Sequence, residues 1–212
     1  MTRRPRKMLT ARIERLPFHR RRPIVTALLL LAGAGAIVDG RTRDDYTRYH
    51  NRVFRVARVV DGDTIDVVAA DGRAPTTRVR FWGVDTPELA GESAPSMHHG
   101  PEASEFTRAA LSGAQVRLIL SPTRTRGLYG RLLAYVHVEP SGPMINEELV
   151  ATGHAYADWR FPHPFQRRYR DLEATARRQG RGLWSTVTPE LLPPWRRRME
   201  TRFGLIATDD HN

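Results

Sequence analysis

The apolar pattern of this 212-residue chain predicts a mainly β domain with about three helices. Three observations carry that expectation. Short stretches rich in β-branched residues recur between residues 54 and 138, glycine and proline punctuate them, and apolar stripes of helical period are confined to a few places. Residues 54–57 and 59–68 read as strands, and Asp71-Gly72 is a good hairpin turn. The returning run, 76–84, has two unlike faces, with Val79, Phe81 and Gly83 alternating with Arg80, Trp82 and Val84. It should end at Pro87, which cannot donate to a sheet ladder and holds Thr86 extended. The loop 89–100 follows and contains His98-His99, expected to be solvated because nothing nearby completes a metal set.

Pro101 suits the first turn of a helix whose stripe is Ala103, Phe106 and Ala110, ended by Gly113. Val116, Leu118 and Leu120 mark the fourth strand. The fifth, 131–138, sets Leu132, Ala134, Val136 and Val138 on one face and Arg131 on the other. A short helix is expected over 145–152, stopped by Gly153. Another is expected over 164–178, its stripe of Phe165, Tyr169, Leu172 and Ala176 opposed by Arg167, Arg170, Arg177 and Arg178. Five short antiparallel strands with helices after the third and fifth fit a five-stranded Greek-key barrel of the OB type.

The flanks differ in character. Residues 1–22 hold nine of the 34 Lys and Arg against one of the 23 acids, so residues 23–212 carry 25 basic and 22 acidic side chains, a net of only +3. The formal charge of +11 is therefore largely terminal, and nucleic-acid binding has to be argued from a site rather than from the total. The uncharged run 23–38 has the length of a signal-peptide core and is short for a spanning helix, which needs roughly 20 residues. Residues 1–38 are expected to be a signal peptide or membrane anchor that places the rest of the chain outside, periplasmic, secreted or tethered. Residues 39–51 read as a polar linker, 52–185 as the folded domain, and 186–212 as a loosely packed Pro/Arg-rich tail containing Trp195-Arg196-Arg197-Arg198. The absence of cysteine excludes disulfides, thiolate zinc sites and a cysteine nucleophile.

The chemistry concentrates in the nine residues 80–88, where Arg80, Asp85 and Glu88 gather at a strand end. Hard carboxylates beside a guanidinium suit joint binding of a divalent cation and a phosphate. Alone, such a cluster also describes a surface salt-bridge network, and the surrounding segments argue for the site.

Asp61-Gly62-Asp63-Thr64, Arg80 with Asp85-Thr86-Pro87-Glu88, Gly100-Pro101-Glu102-Ala103, Tyr129-Gly130-Arg131-Leu132-Leu133-Ala134-Tyr135, and Asn146-Glu147-Glu148-Leu149-Val150 with Gly153 together resemble the staphylococcal (micrococcal) nuclease family. The resemblance covers residues 52–185. It implies a Ca²⁺-dependent hydrolase of DNA and RNA phosphodiesters on an OB barrel, leaving 3′-phosphate ends. It further implies that Asp63, Asp85 and the Thr86 carbonyl bind Ca²⁺ and that Glu88 is the general base. Arg80 and Arg131 would hold the phosphate, Asp61 would stand behind the metal ligands, and Tyr129, Trp159 and Phe161 would lie near the nucleotide. Gly127 departs from the family, which usually has an acid there, and Trp159 and Phe161 lack the usual tyrosine hydroxyls. A non-catalytic nucleic-acid or protein binding module of the same family is the alternative, and such modules lack the arginines or the glutamate present here. A membrane-anchored scaffold working through its tail is a third reading, and no obligate protein partner is implied.

Overall fold

A computed structural model describes residues 40–91 and 95–205. The expected signal or anchor at 1–38 lies outside them, and no described helix is long and apolar enough to cross a membrane.

Strands β1 (Arg52–Val59), β2 (Thr64–Val67), β3 (Thr77–Phe81), β5 (Gln115–Ile119) and β6 (Leu132–Val138) close a barrel in the order β1-β2-β3-β6-β5. Closure follows from the inward set Val56, Ile65, Val67, Val79, Phe81, Val116, Leu118, Leu132, Ala134 and Val136, all buried. Each has a cross-strand partner of the same kind, such as Ile65 opposite Val79 and Leu118 opposite Val136. A closed barrel also leaves no unpaired ladder groups at its edges.

Three strand expectations are corrected. The pairing is not wholly antiparallel, because β6 runs parallel to β3, with Val79 opposite Leu132 and Phe81 opposite Ala134. The intervening helix α2 (Gly100–Leu111) and strand β5 provide the crossover that a parallel neighbour requires. Nor is 76–84 one strand. Gly83 takes φ +81, in the left-handed region, and turns the chain out of the barrel after Phe81. The next pair, β4 (Val84–Asp85), joins β7 (Tyr156–Ala157) in a separate two-stranded sheet. Likewise the run 59–68 breaks at residues 60–63, so Asp61 and Asp63 sit in the β1–β2 turn.

Helices α3 (Ile145–Ala151) and α4 (Gln166–Arg178) pack outside the barrel. Asn146 of α3 is fully buried and joins three elements. Its Oδ1 accepts from Val136 N at 2.9 Å, and its Nδ2 donates to the Trp82 and Ala134 carbonyls at 3.0 and 3.3 Å.

Both flanks depart from expectation. Residues 40–49 form a helix, α1, rather than a linker: Tyr49 is buried, its hydroxyl bonded to Thr77 at 3.0 Å, and buried Asp45 accepts from Thr125 and Arg126. Nor are the described residues 186–205 a loose tail. Helix α5 (Pro194–Arg202) docks through Arg196, whose guanidinium is buried against Glu173 at 2.6 Å and Glu200 at 2.7 Å and also donates to the Ala157 carbonyl. Glu173 in turn accepts from Ala157 N at 2.9 Å, so one ionic cluster ties α4, β7 and α5 together.

Truncating one member of a buried, paired cluster leaves the others charged and unpartnered. Arg196→Ala should therefore lower unfolding free energy by about 3–5 kcal/mol in denaturant titrations. A loss below about 1 kcal/mol, the size of an exposed pair, would show that α5 is not docked in solution.

Candidate active site

The site is assembled around Asp63 in the β1–β2 turn. Its carboxylate is buried and bonded at both oxygens: Oδ1 accepts from the Thr64 hydroxyl at 3.1 Å, and Oδ2 accepts from Thr86 N at 2.8 Å and the Thr86 hydroxyl at 3.0 Å. Gly62 permits this approach, since a Cβ there would stand 2.7 Å from Thr86 Oγ1. The turn is pinned from behind by Thr107 of α2, which donates to the Gly62 carbonyl at 2.6 Å. Asp61 closes the turn by accepting from Asp63 N at 3.0 Å.

Arg80 rises from β3 on the face opposite Val79 and Phe81, and its guanidinium pairs with both Asp63 and Asp85. Burial pulls its basicity below the ordinary arginine value, opposed by the charge of Asp85. Burial raises the Asp61 carboxyl, opposed by Arg80. Glu88 is an exposed residue at the mouth of the site, yet partial desolvation of its carboxyl, then the charge of Asp61, holds it above the usual carboxylate range.

Opposite stands the 121–131 loop. Arg126 organises it by bonding Asp45 of α1 and Asp71 and by donating to the Gly130 carbonyl at 2.9 Å. Gly127 N reaches the Arg131 carbonyl at 3.0 Å, closing the loop just before β6. This presents Arg131, with Tyr129 exposed at the rim and the Arg131 guanidinium 5.8 Å from its ring centre.

Asp61, Asp63, Arg80, Asp85, Glu88, Tyr129, Arg131 and Phe161 line one cleft of about 330 Å³, and Thr86 lies against it through Asp63. Trp159 does not join them. Its ring packs on Arg170 (4.6 Å), Arg196 (4.8 Å) and Phe203 (5.6 Å), on a separate hollow. Asp158 is responsible: its carboxylate accepts from Arg160 N at 3.0 Å, and the resulting tight turn sends Trp159 and Phe161 in different directions.

Four cleft residues escaped the sequence reading. Arg124 and Arg160 flank the Phe161 ring at 5.2 and 5.8 Å, Asp158 holds Arg160, and Leu128 caps the rim beside Tyr129. The usable signal for the arginines was their place beside aromatic residues, in Arg160-Phe161 and in the Arg-rich loop before Tyr129.

His98 and His99 are not solvated as expected. His98 bonds Thr186 at 3.0 Å, and the His99 ring stacks on His154, with Nε2 and Nδ1 3.0 Å apart. The pair braces the start of α2, and from there Gly100 N→Met97 O and Met97 N→Glu88 O bonds reach the backbone of Glu88. Burial, then its neighbour His99, depresses His154 from 6.5 to about 4, and burial also lowers His99. A histidine held below its unfolded value takes up its proton first in the unfolded chain. Stability should therefore fall as pH drops from 6.5 towards 4 and level off below. Urea titrations across that interval should show a flatter profile for His154→Phe than for the natural chain, and equal slopes would remove the pair from the pH response.

A closed five-stranded barrel of the OB type thus carries guanidiniums and carboxylates that face one another across a side cleft. The family model described as "Staphylococcal nuclease homologue" matches residues 78–186. A thermonuclease of Staphylococcus hyicus is 36% identical over 137 residues, covering 64% of this chain and 78% of the relative. A thermonuclease of Staphylococcus intermedius is 34% identical over 163 residues, covering 74% and 92%. An Escherichia coli protein described as an uncharacterized endonuclease is 32% identical over 146 residues, covering 66% and 81%. The chain belongs to the staphylococcal nuclease family.

Proposed function

We propose that this protein is a nuclease that hydrolyses phosphodiester bonds of DNA and RNA with little sequence preference, using Ca²⁺ and leaving 3′-phosphate ends. The observation that carries this reading is the convergence of Arg80, Glu88 and Arg131 on the cleft that also holds Asp63 and Asp85. Relatives named as thermonucleases and an endonuclease support the same reaction class.

The donor set fits a hard divalent cation. Asp63 and Asp85 pair with the two terminal nitrogens of the same Arg80 guanidinium, and Thr86 is tied to Asp63 through its N–H. Asp63, Asp85 and the Thr86 carbonyl would hold the ion. No cluster of three acid, histidine or cysteine ligands exists among the described residues, and a bound ion would need water to fill its shell. An all-oxygen, partly hydrated and irregular set suits Ca²⁺ better than Mg²⁺. When bound, the ion supplies positive charge beside the scissile phosphate.

Attack of water adds negative charge to the phosphoryl oxygens. Arg80, held by its ion pairs, and Arg131 stabilise that charge, and a guanidinium can fork onto two oxygens at once. Glu88 takes the proton of the attacking water as general base, and its raised basicity favours that transfer. Tyr129 and Phe161, exposed at the rim, offer ring faces on which bases stack irrespective of sequence. The surrounding arginines Arg124 and Arg160 add charge along the strand path. The nine cations and apolar run of residues 1–38 support export, as a secreted or periplasmic enzyme or one tethered outside the membrane.

The test is cleavage of linear and circular, single- and double-stranded DNA, and of RNA, by the whole chain with Ca²⁺, Mg²⁺ or chelator. Glu88→Ala should lower kcat by about 10²–10⁴-fold, the usual worth of a general base. Arg131→Ala should cost about 10²–10³-fold, as for loss of one preorganised charge-stabilising donor. Cleavage that survives both substitutions would sink the assignment, and cleavage in chelator would sink the role of Ca²⁺.

A further inference from the structure

Helix α5 lies wholly beyond residue 186, where the family match ends, yet it reaches the cleft. The Trp195 indole Nε1–H donates to Asp85 Oδ2 at 2.7 Å. The face of the same indole carries the Arg160 guanidinium, 4.0 Å from the ring centre. Arg160 is forked onto Asp158 at 2.8 and 2.9 Å and lies 3.4 Å from Asp85 Oδ1. The two oxygens of Asp85 are thus differentiated: Oδ2 faces the indole, and Oδ1 faces Arg80 and Arg160.

Trp195 is itself held firmly. Its ring meets Tyr156 edge-on at 6.4 Å and 85°, and Tyr156 is the residue opposite Asp85 in the β4–β7 ladder. The adjacent Arg196 is locked in its buried cluster. A neutral donor fixes one carboxylate oxygen without adding a further positive charge to the guanidiniums already facing the other. An indole N–H is such a donor and has no acceptor atom. Groups that orient a ligand from behind commonly set metal affinity.

We propose that Trp195 is a positioning residue of the cleft, fixing the rotation of the Asp85 carboxylate so that Oδ1 is presented towards Asp63 and a bound divalent cation. The cation part rests on the Ca²⁺ reading above, whereas the Trp195–Asp85 contact does not.

The experiment uses the whole chain and Trp195→Phe, which keeps an aromatic ring beside Tyr156 and Arg160 and removes the N–H donor along with part of the ring. Calorimetric titration with Ca²⁺ should show affinity weakened by about 10–100-fold, with the lost cleavage returning as Ca²⁺ is raised and Tm nearly retained. Unchanged Ca²⁺ affinity would overturn the proposal. A second arm needs neither metal nor the tryptophan variant to fold well. In chelator, the ¹H–¹⁵N indole resonance of Trp195 should move in Asp85→Asn while the other indoles stay in place. A resonance indifferent to that substitution would overturn the contact itself. A resonance that moves in a chain that binds no Ca²⁺ would sustain the positioning of Asp85 and remove the metal reading instead.

Discussion

The bonds from Thr86 to the buried carboxylate of Asp63 are the constraint on which the rest of the site depends. Asp63 belongs to the turn between β1 and β2, whereas Thr86 follows a strand that has already left the barrel. Nothing in the ladder of β2 and β3 requires these two turns to touch. The side chain of Asp63, accepting both an amide and a hydroxyl of Thr86, makes them one unit. Asp85 and Glu88 inherit their places from that contact, since Asp85 precedes Thr86 by one residue and Glu88 follows it by two. Charge-assisted bonds of this kind are stronger than neutral ones, and they are needed here because a buried carboxylate without partners would take up a proton or unfold its surroundings.

The same carboxylate explains the electrostatic state of the cleft. Arg80 is buried between Asp63 and Asp85, and desolvation opposes its charge while Asp85 sustains it. Ion pairs at such depth contribute little net stability, because the cost of removing both charges from water roughly cancels their attraction. What they provide is fixed geometry. The outlying cluster of Arg196, Glu173 and Glu200 follows the same logic on the far side of β7. In both places charge is buried where elements distant in sequence must meet in one arrangement, and apolar packing alone would leave their relative rotation loosely determined.

How much of this was legible in the chain follows from the kind of contact involved. The barrel strands were readable because Ile65, Val79, Leu118 and Val136 obey a period of two, and a period of two has one cause. The acidic turns were readable because Asp61, Asp63, Asp85 and Glu88 sit in short motifs whose spacing is local. Helices α1 and α5 were not readable, since their buried side chains include Asp45 in one and Arg196 and Glu200 in the other. Residues that look solvated by composition are buried here because they hydrogen-bond to partners some 20 to 80 positions away. Trp159 and Phe161 show the converse. Two positions apart in extended chain they would share a face, but Asp158 bends the backbone at Arg160 and separates them. The parallel pairing of β3 with β6 was equally hidden, because strand periodicity is blind to direction.

These failures fall in one place, and that location has a physical reason. A cleft on the flank of a barrel has only one rigid wall, here β3 with Arg80. The opposing groups ride on the 121–131 loop and on the short β4, neither of which has enough ladder bonds to hold a side chain still. Each is braced from outside the residues that the family model matches. Asp45 of α1 grips Arg126 and through it the loop that bears Tyr129 and Arg131. Trp195 of α5 grips Asp85. The flanks of the chain are therefore parts of the site's framework. The barrel places Arg80, and helices α1 and α5 bond the two parts of the cleft that the barrel ladder does not hold, Asp45 through Arg126 and Trp195 through Asp85.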